Sequence, residues 1–136
     1  MVRTSFEERM IRYYPALFPV SDRPEGDVKL ARILCGKGWF PLIELLCDQI
    51  QHVVDDQDLR QATISGIAEK FGVMRVTCQG SSQPVRQLVE AAERTSAGFC
   101  EVCGSVGMTQ RTSHGWIKTL CQDCTASALA GQQISR

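Results

Sequence analysis

Cys100-Glu101-Val102-Cys103-Gly104 and Cys121-Gln122-Asp123-Cys124, with seventeen residues between Cys103 and Cys121, decide how the last third of this chain folds. Two residues between thiols let one tight turn aim both sulfurs at a single point. The intervening segment is long enough for a β-hairpin that returns the second turn beside the first. This paired spacing fits a four-thiolate zinc site, which is tetrahedral and leaves no open position for a substrate. The spacing therefore predicts one structural Zn²⁺ held by Cys100, Cys103, Cys121 and Cys124. Gly104 frees the backbone to turn its N–H groups toward sulfur. Gly107 and Ser113-His114-Gly115 are turn material, and Trp116, Ile117, Thr119 and Leu120 read as the returning strand. A redox C-x-x-C is the competing reading, but that motif usually occurs once, beside a βαβ pattern.

Working outward, the ribbon spans 98–125, preceded by an α+β domain over 1–97 and followed by a tail at 126–136, which is rich in Ala, Ser and Gln. In the domain, helices are expected over about 4–14, 40–54 and 82–96, with a β-hairpin over about 62–78. Thr4 or Ser5 caps the first helix, and Phe6, Met10, Ile11 and Tyr14 share one face. Residues 18–29 have loop composition. Gly36-Lys37-Gly38 is a turn, and Pro41 suits the first turn of the second helix. Leu42, Leu46, Ile50 and Val53 form that helix's apolar stripe, widened by Ile43, Cys47 and Val54. Asp55, Asp56 and Asp58 sit at the wrong end for the helix dipole, so the helix is expected to stop near Val54. The β-branched run Thr63, Ile64, Ile67, Val73, Val76 and Thr77 reads as a hairpin turning at Lys70-Phe71-Gly72; one amphipathic helix over 64–71 is the rival. Ser82 is the expected cap of the third helix, whose buried face is Val85, Leu88, Val89 and Ala92.

With 136 residues, the chain can form one compact domain plus a small appendage. Lys plus Arg number 15 and Asp plus Glu number 15, for a formal net charge of zero. That balance argues against a protein whose main work is gripping phosphate. No apolar run approaches the roughly 18 residues of a membrane span, and the charged first ten residues lack a signal peptide's apolar stretch. A cytoplasmic protein with reduced thiols is expected, which favours metal ligation over disulfides. Cys35, Cys47 and Cys78 are irregularly spaced and read as small buried apolar residues.

Other residues carry two readings each. His114 and His52 are weak candidates for ligand or base, since four thiolates already satisfy zinc. Glu44 and Asp48 are an i, i+4 carboxylate pair whose ordinary fate is a solvated face. Trp39 and Phe40 are either core anchors or an aromatic hot spot. Arg75, Arg86, Arg94, Arg111 and Lys118, with Phe71 and Trp116, form either a modest stacking and phosphate surface or scattered solubility charge. Glu69 and Lys70 beside the hairpin turn are expected to be exposed.

Gly36-Lys37-Gly38-Trp39-Phe40-Pro41-Leu42-Ile43, Glu69-Lys70-Phe71-Gly72-Val73-Met74-Arg75, Cys100-Glu101-Val102-Cys103-Gly104 and Gly115-Trp116-Ile117-Lys118-Thr119-Leu120-Cys121 occur in that order. Together they resemble a group of small uncharacterised bacteriophage and prophage zinc-ribbon proteins, over about residues 35–124. The resemblance implies provenance rather than activity. It points to an accessory protein that binds a host protein or complex in the bacterial cytoplasm, as an inhibitor of a defence system would. The reading from sequence is thus a non-enzymatic binding protein, with Trp39, Phe40, Phe71, Arg75, Arg111, Trp116 and Lys118 as candidate contact residues. The alternatives are a nucleic-acid-binding regulator that uses the ribbon, and an enzyme built on a site such as Cys78.

Overall fold

The computed structural model describes residues 4–19, 31–112 and 114–129. Most of the expected 18–29 loop, Ser113 and the end of the tail lie outside these. The chain is α+β, with a C-terminal group of four cysteines.

Helix α1 covers Ser5–Tyr13. Thr4 is its cap, in a capping box: the Glu7 amide donates to Thr4 Oγ1 at 3.1 Å, and the Thr4 amide donates to Glu7 Oε1 at 2.8 Å. Strand β1 (Arg32–Leu34) follows; no local pattern announces a strand of three residues. A 3₁₀ turn over Lys37–Trp39 leads into α2, Phe40–Asp56. Asp55 and Asp56 thus lie inside the helix rather than in a loop after Val54. The side-chain amide of Gln51 donates to Asp55 at 2.9 Å, holding it on the helix surface. Strands β2 (Thr63–Lys70) and β3 (Val73–Gln79) form the hairpin, with Phe71 and Gly72 as its two loop residues, so the helical rival for 64–71 does not form. Helix α3 spans Gln83–Ser96, with Ser82 at the cap position and in extended backbone. The Ser82 hydroxyl makes no cap hydrogen bond, contrary to expectation.

The sheet order is β1-β2-β3, with β1 parallel to β2 and β3 antiparallel to it. Parallel neighbours need a crossover, and α2 supplies it. Ile33, Ile64, Ile67 and Met74 project from one face into a core shared with Trp39, Ile43, Leu46, Ile50, Val85 and Val89. Phe6 and Met10 bring α1 into the same core. Alternation puts Gly66, Ala68, Lys70, Val73, Arg75 and Thr77 on the opposite face.

Both sheet edges have backbone donors that a neighbouring chain could pair with, and side chains occupy them. The Ile33 amide donates to Glu7 Oε2 at 2.7 Å. On the far edge, the Met74 amide donates to Ser96 Oγ at 2.9 Å and the Val76 amide to Glu93 Oε2 at 3.0 Å. Covered edges resist strand-to-strand aggregation. Glu7 is buried and also accepts from Arg32 Nε at 2.9 Å. Burial pushes its pKa up, but hydrogen bonds from the Ile33 and Thr4 amides, with the hydrogen bond and charge of Arg32, outweigh burial and hold it below its ordinary 4.5.

A carboxylate with a depressed folded pKa contributes stability that is present above the unfolded value and lost as pH falls through the folded one. Glu7→Gln should therefore cost about 2 kcal/mol at neutral pH by weakening the bonds to Ile33 and Arg32. It should also shrink the fall in stability that wild type shows below pH 4.5. Urea midpoints measured across that range test this; identical acid limbs in the two proteins would refute it.

Candidate metal centre

The first thiol pair sits on a turn closed by backbone bonds. The Cys100 amide donates to the Ser105 carbonyl at 2.7 Å and the Gly104 amide to the Cys100 carbonyl at 2.9 Å. Gly104 has φ +86°, a left-handed conformation suited to glycine. Strands β4 (Met108–Arg111) and β5 (Ile117–Leu120) pair antiparallel and deliver Cys121 beside the first turn. The Glu101 amide, donating to the Thr119 carbonyl at 3.0 Å, ties that turn to β5. Helix α4, Gln122–Leu129, starts directly after Cys121, inside the ribbon, and runs into the tail expected from residue 126. Cys121 stands at its N-terminus, and its Sγ accepts from the Cys124 amide at 3.4 Å. A helix N-terminus favours a thiolate there.

The Sγ atoms of Cys100, Cys103, Cys121 and Cys124 lie within 4.8 Å of one another. Zn–S bonds of about 2.3 Å at tetrahedral angles place sulfurs about 3.8 Å apart, so the four donors fit one ion. The Cys103 and Cys121 sulfurs are 3.5 Å apart, and all seven cysteines are free thiols rather than disulfides. The side chain and backbone of Ser105 beside Cys103 draw its thiol down to about 6, whereas burial pushes Cys124 up. Ionising all four together requires a cation among them. His114 is exposed and packs at 6.1 Å from the Trp116 ring, apart from the cluster.

The ribbon is docked on the α+β domain. The Gly38 amide donates to the Glu101 carbonyl and the Gly36 amide to Glu101 Oε2, both at 2.8 Å. Trp39 Nε1 donates to the Phe99 carbonyl at 2.8 Å. The Thr119 hydroxyl lies 2.6 Å from the Gly72 carbonyl oxygen and 2.6 Å from Thr109 Oγ1. Lys118 Nζ is 3.1 Å from Glu69 Oε1 and 3.9 Å from Glu101 Oε1. A Cβ on Gly38 would overlap the Cys100 carbonyl oxygen and the Glu101 backbone. Gly38→Ala should therefore cost about 1–3 kcal/mol and speed amide exchange at 99–104, while α3 keeps its protection. Unchanged exchange at 99–104 would contradict this close approach.

These contacts assign the candidate contact residues. Trp39 is 0% exposed, and Phe40 is half-buried and stacks on Phe6 with ring centroids 3.8 Å apart. Trp39 is part of the main core and Phe40 packs against that core. Lys118 is spent on two carboxylates, and Glu69, which also accepts from the Gly72 amide at 2.8 Å, is largely buried rather than exposed. Phe71 and Trp116 are 76% and 51% exposed. Arg75 reaches Glu93 at 3.8 Å across an exposed surface, and Arg111 donates to the Gly115 carbonyl at 2.9 Å. Sequence reading missed Glu101 and Thr119; a carboxylate inside the first C-x-x-C was the one available signal. Burial pushes Cys35 and Cys47 up to about 12 and Cys78 up to about 11, opposite to what a nucleophile needs.

No family model matches this chain, and no curated protein or solved structure matches it either.

Proposed function

We propose that this chain is a non-enzymatic zinc-binding protein that acts by docking onto a protein partner. In this reading it is a phage-type accessory protein, its partner is a host protein or complex, and inhibition of a bacterial defence system is the process it fits. One observation carries the docking role: the ribbon draws its four sulfurs together within 4.8 Å while Phe99, Val106, Met108 and Trp116 stay 39–79% exposed. Large exposed apolar groups gathered on one small element mark interaction surface. Zinc is the ion of choice for four thiolates in a tetrahedron. Once saturated, it braces the surface and takes no part in chemistry.

Phosphate binding is less favoured, because Lys118 is already paired with two carboxylates and the formal charge is zero. The groove between α2 and α3, lined by Gln49, His52, Val53, Pro84, Gln87 and Leu88, offers His52 as the single titratable group among those residues. Immobilised zinc-loaded protein should retain bacterial proteins through nuclease treatment and release them when a chelator strips the ribbon. Capture abolished by nuclease would assign the surface to nucleic acid. Capture indifferent to chelation would move it off the ribbon.

A further inference from the structure

We infer that Phe71 and Trp116, flanked by Lys70 and Arg111, form a preset docking surface for a protein segment whose apolar side chains are bordered by acidic ones; this rests on the protein-binding reading above. Phe71 carries the argument. Its φ is +53°, a left-handed conformation that is strained for a bulky side chain. Asn or Gly is the ordinary occupant of such a hairpin position. The strain is not repaid by burial, since the ring is 76% exposed. The turn is nevertheless held firmly, with the Gly72 amide on Glu69 Oε2 at 2.8 Å and the Gly72 carbonyl 2.6 Å from the Thr119 hydroxyl. An uncompensated backbone outlier over-determined by its surroundings points to use of the side chain.

Trp116 is preset in the same way. Its amide donates to Thr112 Oγ1 at 3.2 Å, and its carbonyl accepts from the Thr112 amide at 2.6 Å. A Cβ on Gly72 would meet Thr109 Cγ2 at 3.1 Å and Ile117 Cγ2 at 3.3 Å, so the Phe71-Gly72 turn lies against the strand pair whose second strand begins just after Trp116. Rigid aromatic anchors lose little entropy on binding and dominate interface energies.

The charge around them is one-sided. Lys70 and Arg111 are exposed, whereas the nearby Glu69 and Glu101 face inward toward Lys118, and Arg75 is matched by Glu93 at 3.8 Å. An acidic border on the partner complements this pattern. Aromatics with cations also suit a single nucleic-acid strand. The same ribbon, however, exposes Val106 and Met108, aliphatic surface that a protein covers and a phosphate backbone does not.

The test uses the full zinc-loaded chain and three probes: a peptide of Leu and Phe bordered by Glu, its Lys-for-Glu counterpart, and a thymidine oligonucleotide. Trp116 is half-exposed and Trp39 buried, so a change in tryptophan emission on binding reports Trp116. The acidic peptide should bind at least tenfold tighter than the basic one. Lys70→Glu with Arg111→Glu should reverse that preference. Phe71→Asn should raise the melting midpoint by about 4 °C, because Asn tolerates the left-handed backbone, and weaken the acidic peptide at least tenfold. Equal binding of the two peptides, or acidic-peptide binding untouched by Phe71→Asn, overturns this surface. The protein-binding reading survives that failure if nuclease-resistant capture from lysate persists. Preferential, steeply salt-dependent binding of the oligonucleotide overturns both.

Discussion

Cys121→Ser is expected to unfold residues 98–125 while the helical domain stays folded. Cys121 is one of four sulfurs that converge within 4.8 Å, and it also caps α4. A structural zinc contributes on the order of 10–16 kcal/mol to its module. Losing one of four thiolates should forfeit about 3 kcal/mol or more of that, weakening metal binding about 100-fold or more. Beyond the contacts that dock it on the α+β domain, the ribbon has little apolar core of its own. Its own apolar cluster is Cys100, Leu120 and Cys121, with Val102 and Cys124 packed against them, so three of its five members belong to the four-thiol group. The main core is a separate cluster around Trp39, Ile43, Ile50, Ile67 and Met74, and it does not need the ion. Hydrogen exchange should show β4 and β5 losing protection while α2 and α3 keep theirs, and elemental analysis should fall from one zinc per chain. A variant that holds no metal yet keeps ribbon amides protected would sink the idea that the ion organises this element.

Trp39→Ala should cost about 3–5 kcal/mol, the range for deleting a buried tryptophan. Its side chain is 0% exposed, sits where the 3₁₀ turn meets α2, and donates its indole N–H to the Phe99 carbonyl at 2.8 Å. The change leaves a cavity in the main core and an unpartnered carbonyl at the ribbon's entry, so two units are damaged by one substitution. Thermal midpoints should drop by about 10–20 °C for a chain of this size, and zinc affinity should fall as well. Trp39→Phe separates the two contributions: it restores most of the volume without the N–H, and should cost about 1–2 kcal/mol for the lost bond. Midpoints of the two variants that coincide would show that packing contributes little. A near-neutral Trp39→Ala would contradict its burial altogether.

Much of the fold was legible because it is written at short range. The stripe Ile43, Leu46, Cys47, Ile50 and Val54 repeats every three to four residues and is the buried face of α2. The β-branched run with its Phe71-Gly72 loop specifies β2 and β3 through alternation alone. The end of α2 was misplaced by two residues because dipole reasoning weighs tenths of a kcal/mol, and the bond from Gln51 to Asp55 outweighs it. Strand β1 was missed because three residues carry no period; it exists by pairing Ile33 with Ile67, far along the chain.

The sequence by itself therefore determined the four-cysteine group, the long helix and the hairpin, since each depends on residue spacings that one turn or one strand can satisfy. Tertiary structure decided the rest. It made Glu7 the cap of a sheet edge 26 residues away, and made Glu101 the clamp on Gly36 across 65. It also sent Trp39 inward and left Phe71 outside. Such assignments depend on which surfaces meet after the chain has folded, and no local spacing encodes a contact whose two halves are brought together only by burial of a shared core.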